Sequence, residues 1–212
     1  MFNINCQTEY QDLNYQDLAE TCDNCQKCEL SSTRKNVVVG YGPVPCNVMA
    51  VGEGPGSEED IQGKPFVGKA GQLLTKMLQS IDIDREKDIF ITNIVKCRPP
   101  QNRNPLPTEI EACQPYLVRQ IQLVQPKVLI LLGSPALKTV IDDKLSITKE
   151  RGKWIKQEVN YMDDLLYIMP IFHPSFLLRN ESKEKGSPKW LAWKDMQEIK
   201  IAIDFYAKAQ AV

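Results

Sequence analysis

Histidine is nearly missing from this 212-residue chain: His173 is the only one. A histidine-rich zinc site is therefore excluded. Long apolar runs are missing too. The longest, "VLILLG" at 128–133, falls far short of the roughly 20 residues needed to cross a bilayer. The opening "MFNINCQTEYQDLNYQDL" carries neither the basic flank nor the apolar core of a signal peptide. The expectation is a cytoplasmic protein with no membrane contact. Net charge is lacking as well, with 26 Lys and Arg against 27 Asp and Glu. No global positive field advertises a nucleic-acid partner, so any polyanion must be met by a local patch. Two phosphate-binding signatures are absent: neither G-x-x-x-x-G-K-[ST] nor G-x-G-x-x-G occurs. Repeats, linkers and low-complexity segments are absent too.

What is present in excess is cysteine: Cys6, Cys22, Cys25, Cys28, Cys46, Cys97 and Cys113. In a cytoplasmic chain, disulfides do not account for seven of them. Cys22, Cys25 and Cys28 form a C-x2-C-x2-C run, and fifteen residues separate Cys97 from Cys113. With one histidine available, thiolates are the ligands on offer, which favours four-cysteine iron–sulfur or zinc. Cys6 and Cys46 read as small packing or surface residues. Cys22 continues the x2 spacing and can stand in for Cys25.

The length suits one large domain over 1–212, and 42% hydrophobic with 25% charged residues is ordinary for a globular protein. Residues 1–20 form a polar lead-in with room for one helix. "NVVVGYG" and "VPCNVMAVGEGPG" read as extended segments breaking into turns. "GQLLTKMLQSIDI" has helical spacing, and "DIFITNIVKCRPP" is a strand stopped by prolines. "NPLPTEIEACQPYLVRQIQLV" opens a helix, with Thr108 and Glu111 spaced as a capping box. "PKVLILLG" has the continuous apolar character of a strand covered on both faces. "SPALKTVI" is helical, "LLYIMPIFHPSFLLR" is a strand ending in a turn, and "KWLAWKDMQEIKIAIDFYAKA" closes as an amphipathic helix. The alternation predicts a three-layer α/β/α fold around a mostly parallel four-stranded sheet. Such sheets place their sites at the carboxyl ends of strands. Three predicted strand ends carry polar clusters: Gly52–Gly56, Asn93–Arg103 and His173–Arg179.

The loop after the first of these strands, "VGEGPGSEEDIQGKPFVGKAG", packs six glycines, two prolines and four acids into 21 residues. Carboxylates do not suit a phosphate cradle, so the loop is built to hold something else. Taken together, "CQKCEL", "GEGPGSEEDIQGKPFVGKAGQLL", "ITNIVKCRPPQNRNPLPTEIEAC" and "HPSFLLR" stand in an order that resembles the family 4 uracil-DNA glycosylases, which carry an iron–sulfur cluster. The resemblance runs from about Cys25 to Arg179 and leaves residues 1–20 outside it. One position departs: the family loop usually reads G-E-A-P-G, and here Gly54 replaces the alanine.

The resemblance implies a monomeric, monofunctional DNA repair enzyme. It would flip deoxyuridine out of DNA, hydrolyse the N-glycosidic bond, release free uracil and leave an abasic site. A [4Fe-4S] cluster would be held by Cys25, Cys28, Cys97 and Cys113, with Cys22 as the alternative to Cys25. Glu53 and His173 would be catalytic. Glu53 would either activate water or stabilise the sugar cation, and His173 would donate to uracil O2. Gly54, Glu59, Phe66, Asn93 and Asn102 would bind the base, Phe66 by stacking and Asn93 through an amide that meets both O4 and N3–H. Ser175, Leu177, Leu178 and Arg179 would contact DNA, the leucines as a wedge in the space left by the flipped nucleotide. Lys64, Lys69, Lys96, Arg98, Arg103, Arg179, Lys183, Lys185 and Lys189 would give a nearly neutral protein a positive DNA-facing side. Two rival readings are a non-catalytic iron–sulfur protein that binds nucleic acid on the same fold, and a hydrolase of free nucleosides or another damaged base.

Overall fold

The computed structural model describes residues 2–209. Its centre is a five-stranded sheet in the order β2-β1-β3-β5-β4, formed by β1 (Val48–Gly52), β2 (Phe90–Asn93), β3 (Val128–Leu132), β4 (Ile155–Glu158) and β5 (Leu165–Ile171). β2, β1, β3 and β5 are parallel neighbours, as the sequence predicts, and β4 pairs antiparallel with β5 at the edge. The expected four-stranded sheet is therefore corrected to five. The extra strand escapes a hydrophobicity reading because Ile155–Glu158 has no fully buried residue and alternates half-buried with exposed positions. "NVVVGYG" forms no strand; it is held to β2 by an isolated backbone bridge between Tyr41 and Ile91 and by the Thr92 hydroxyl, which donates to the Val39 carbonyl at 2.8 Å.

Eight helices connect and cover the strands among the described residues: α1 (Tyr15–Asp23), α2 (Ser57–Gln62), α3 (Lys69–Gln79), α4 (Pro107–Val124), α5 (Ser134–Val140), α6 (Ile147–Glu150), α7 (Pro174–Leu178) and α8 (Pro188–Ala209). Strand alternation decides which helices cover which face. Met49, Val51, Leu129, Leu131 and Ile168 point to one side and meet Leu18 of α1, Leu117 and Ile121 of α4 and Leu137 of α5. Val48, Ala50, Val128, Ile130 and Met169 point to the other and meet Leu74 and Leu78 of α3 and Met196 and Ile199 of α8. Every residue of β1 and β3 is buried, each large side chain contributing about 1.5–3 kcal/mol. Polar strand neighbours would forfeit that term, which is why these strands read as unbroken apolar runs.

The start of α4 also differs from expectation. Leu106 is the capping position, and Glu109, three residues on, accepts its backbone N–H at 2.7 Å. The Glu109 carboxylate also takes the Arg103 guanidinium at 2.6 and 2.9 Å. The cap thus stands two residues before Thr108, and the helix begins at Pro107 because proline suits the first turn, where no amide hydrogen is needed. The result ties the "RPPQNR" segment to α4, close to the carboxyl end of β2.

Candidate active site

Because β2, β1, β3 and β5 run parallel, Gly52, Asn93 and the residues after Ile171 emerge on one edge of the sheet. They open onto a cleft of about 360 Å³, within the range of small-molecule sites. Ten of the residues singled out in the sequence line it: Glu53, Gly54, Glu59, Phe66, Asn93, Asn102, Arg103, His173, Ser175 and Arg179.

Asn93 ends β2 directly opposite Gly52 of β1 and is 1% exposed. Its Oδ1 is buried and has no hydrogen-bond partner among the described residues. Leaving a buried acceptor unpaired costs about 1–3 kcal/mol, so its position beside the cleft points to a donor supplied from outside. Gly52 makes this floor possible. A Cβ there would lie 2.5 Å from the Phe66 ring and 2.6 Å from Asn93 Oδ1. Any side chain at Gly52 would displace the aromatic or the amide.

Phe66 is 6% exposed and forms one wall, its ring centroid 5.7 Å from that of His173 and tilted by 37°. His173 is the residue before Pro174 and caps α7. Its Nδ1 accepts the Ser175 backbone N–H at 3.1 Å and lies 2.8 Å from Ser175 Oγ. With Nδ1 accepting, the ring proton sits on Nε2, leaving one N–H free to donate. Burial, followed by the nearby Arg179 cation, pulls the His173 pKa down to about 4, with Glu59 opposing. The imidazole is therefore neutral at pH 7 and acts as a donor without carrying charge.

Glu53 follows β1 and is half-buried, with its carboxyl pKa raised by burial. Its carboxylate has no hydrogen-bond partner among the described residues, unlike that of Glu59. Glu59 accepts Val67 N–H and Gly68 N–H, each at 2.8 Å, and Gly56 N–H at 3.1 Å. The charge run "SEED" is thus not a solvated face at this position. Gly54 presents backbone to the cleft, and a Cβ there would lie 2.9 Å from a Val95 methyl. The family's alanine at this place would press on Val95. Asn102 is exposed, and its Oδ1 accepts from Arg98 Nε at 2.8 Å. The two leucines of "HPSFLLR" part company: Leu177 is 2% exposed and packs inward beside Phe172, while Leu178 is 42% exposed.

The cysteines gather elsewhere. Cys25 and Cys28 follow α1, Cys97 lies just beyond β2, and Cys113 is on α4; together with Cys22 they line one small cavity of about 20 Å³. Cys113 Sγ accepts the Lys96 backbone N–H at 3.3 Å, and Cys97 Sγ accepts from Arg34 Nη1 at 3.5 Å. Burial pushes the thiols of Cys28, Cys97 and Cys113 upward, Cys113 to about 12. Without a cation, ionising this nest is unfavourable; a bound metal reverses that balance. Among the described residues no three His, Cys, Asp or Glu groups stand where they would grip a single metal ion. The cavity instead offers sulfurs spread around one space, with donors aimed at two of them. That donor set fits an iron–sulfur cluster.

Lys96 was grouped by sequence with the DNA-facing cations, and the structure corrects this. It is 1% exposed, and its Nζ donates to Thr92 Oγ1 at 2.8 Å and to the Asn93 carbonyl at 2.6 Å. Burial lowers its pKa to about 8, while the sulfurs of Cys113, Cys22 and Cys97 act to raise it. A lysine enclosed in "NIVKC" lies between the cysteine nest and the floor of the cleft. Its apolar neighbours were the available signal of burial. The sequence also gives no sign of Arg85, whose hydrogen-bond partners are two backbone carbonyls and the Thr75 hydroxyl, which leave no trace in a motif.

Residues 39–197 match the family described as the Uracil DNA glycosylase superfamily. The chain is 46% identical over 171 residues to the Type-4 uracil-DNA glycosylase of Thermotoga maritima, covering 79% of this chain and 84% of that protein. It is 41% identical over 190 residues to the Type-4 uracil-DNA glycosylase of Saccharolobus solfataricus, covering 88% and 85%. The Type-5 uracil-DNA glycosylase of Pyrobaculum aerophilum is more distant, 27% identical over 157 residues with 60% and 69% covered. With a family match across most of the chain and a cleft that brings the family's motifs together, the chain belongs to the uracil-DNA glycosylase superfamily, and within it to the type-4 enzymes.

Proposed function

We propose that this protein is a monofunctional repair glycosylase that removes uracil from DNA and leaves an abasic site. The observation that carries the reading is the orphaned Asn93 Oδ1, buried beside an aromatic wall and a neutral histidine in one cleft. Uracil N3–H supplies the donor this atom lacks, and the Asn93 amide N–H meets uracil O4. Cytosine presents the reverse pattern at both positions and leaves the pair mismatched. Phe66 stacks on the base, a contact worth about 1–3 kcal/mol.

Hydrolysis breaks the bond between C1′ and N1, with the electron pair leaving on uracil and water adding to C1′. As the anion forms, His173 Nε2–H donates to O2 and stabilises the transition state. A neutral imidazole does this without transferring its proton. Glu53, half-buried and with no hydrogen-bond partner among the described residues, faces the sugar, where its carboxylate activates the water or stabilises the developing cation. Entry of the base requires flipping, and Leu178, exposed at the end of α7, fills the vacated space. Leu177 supports it from the core. Ser175, Arg179 and Asn102 border the cleft and contact the strand. No lysine lines the cleft, so strand cleavage through a Schiff base is not part of the reaction.

Cys25, Cys28, Cys97 and Cys113 hold a [4Fe-4S] cluster, Cys22 being the alternative to Cys25. Its contribution is to cross-link the segment after α1, the end of β2 and α4, bracing the loop that carries Arg98 and Asn102. The enzyme works as a monomer on uracil-containing DNA in the cytoplasm, the chain acting as a single domain, with the described residues 2–209 arranged around one sheet. No helix among the described residues is long and apolar enough to cross a membrane.

The test is uracil release by iron-loaded protein from an oligonucleotide containing one deoxyuridine, compared with free deoxyuridine. Release from DNA alone, leaving an alkali-labile site, supports the proposal. Release from the free nucleoside at a similar rate favours a nucleoside hydrolase, and release from neither favours a non-catalytic binding protein.

A further inference from the structure

Phe66 is held in a backbone conformation that a bulky residue rarely adopts, with φ of +53°. Its surroundings show what holds it there. Arg85, in the segment between α3 and β2, has a side chain only 15% exposed. Its Nη1 donates to the Phe66 carbonyl at 2.7 Å and to Thr75 Oγ1 of α3 at 3.0 Å, and its Nη2 donates to the Pro65 carbonyl at 2.8 Å. On the other side of the same residue, Glu59 accepts the N–H groups of Val67 and Gly68 on one carboxylate oxygen and that of Gly56 on the other. The carbonyls before the turn are thus fixed by a guanidinium and the amides after it by a carboxylate. Gly71 completes the enclosure: a Cβ there would lie 1.9 Å from the Phe66 carbonyl oxygen, so α3 abuts the turn backbone to backbone.

We propose that Arg85 and Glu59 are positioning residues that act through Phe66, together locking the stacking wall of the base pocket in its left-handed turn. Glu59 then acts on the loop rather than on the substrate, because its acceptor positions face three backbone amides. Arg85 is a new participant that does not touch the cleft. The chemistry suits the task. A planar guanidinium reaches two carbonyls and a hydroxyl at once in a fixed fork, which the single ammonium of lysine does not reproduce. A carboxylate accepts several N–H bonds, whereas an amide in its place turns a donor toward at least one of them.

The proposal rests on the cleft being the uracil site, and the experiment separates the two. Arg85→Met and Glu59→Gln are compared with wild type in three readouts on iron-loaded protein. The first is hydrogen exchange of the amides of residues 66–68, which needs no activity. The second is the affinity for free uracil, and the third is the affinity for abasic-site DNA, which has no base to stack. Both variants should speed exchange at residues 66–68 at least 10-fold while exchange in β1 and β3 stays as in wild type. Uracil affinity should fall about 10-fold, a partial loss of a stacking contact, with abasic-DNA affinity within about 2-fold of wild type. Arg85→Lys should recover only part of the loss. Unchanged exchange at residues 66–68 overturns the lock whatever the activity, and equal losses for uracil and abasic DNA overturn it in favour of general loosening. Faster exchange in a protein whose wild type binds no uracil would leave the lock standing and remove the uracil reading.

Discussion

Replacing Asn93 by aspartate exchanges one heavy atom, the amide nitrogen for oxygen, and should reverse the logic of the pocket. Asn93 is 1% exposed, and its Oδ1 lacks a partner among the described residues, so the substituted carboxylate would enter a buried site that offers it no hydrogen bond, the nearby Lys96 ammonium being already engaged by the Asn93 carbonyl and Thr92 Oγ1. In the ionised form it loses the N–H that meets uracil O4, a hydrogen bond worth about 1 kcal/mol. It also sets a buried negative charge against the O4 lone pairs, costing about 3 kcal/mol more. The sum, about 4 kcal/mol, corresponds to a rate loss of about 10³-fold. Burial raises the pKa of such a carboxyl, and its protonated form regains a donor. The uracil defect of Asn93→Asp should therefore shrink as pH falls, and any cytosine excision gained should grow in the same direction, since only the protonated acid both accepts cytosine N4–H and donates to its N3. The assay is single-turnover excision, enzyme in excess, on matched uracil and cytosine oligonucleotides across pH 5–8. Uracil excision at the wild-type rate throughout would remove Asn93 from base recognition.

Four further outcomes follow from the geometry. His173→Ala should lower the single-turnover rate by about 10²–10³-fold with DNA affinity little changed, as loss of one preorganised donor does; a full rate would reduce "HPSFLLR" to a DNA-contact loop. His173 has a folded pKa of about 4, below its unfolded value of about 6.5, so its contribution to stability is complete above about pH 6.5 and is lost as pH falls toward 4. Denaturant unfolding should show that slope in wild type and a shallower one in His173→Ala. The raised pKa of Glu53 places the acid limb of the rate profile above the ordinary carboxylate range, and Glu53→Gln should abolish that limb along with most of the rate. Iron and sulfide analysis should find four irons per chain, with loss in Cys28→Ala, Cys97→Ala and Cys113→Ala. Retention in Cys25→Ala with loss in Cys22→Ala would move the ligand to Cys22, and one zinc per chain would rule out the cluster.

The parallel core was legible because buried strands must be apolar throughout, and "NVMAV" and "VLILL" leave no other reading. Edge strand β4 was not, since Ile155–Glu158 buries no side chain completely and carries no stronger pattern than a loop. The site residues were legible as motifs, yet their division of labour was not. Glu53 and Glu59 look alike in sequence, and only the fold shows one carboxylate without partners and the other saturated by backbone amides. Leu177 and Leu178 are adjacent and identical, but the helical turn of α7 sends one into the core and the other into solvent. Lys96 and Arg85 were illegible as functional residues for a common reason. Each is held by one or two backbone carbonyls and one threonine hydroxyl, partners that no side-chain motif records.

The most direct test of base reading by Asn93 needs no substitution in the protein. Single-turnover excision is measured on one oligonucleotide carrying either deoxyuridine or its N3-methyl derivative. The methyl group removes the donor that Asn93 Oδ1 lacks and fills the space in front of it, while leaving O2, the glycosidic bond and the sugar in place. The account predicts release of uracil and a loss of about 10³-fold or more for 3-methyluracil, as sites built to pair a buried polar group reject a base that leaves it unpaired. Equal release of both bases would contradict it.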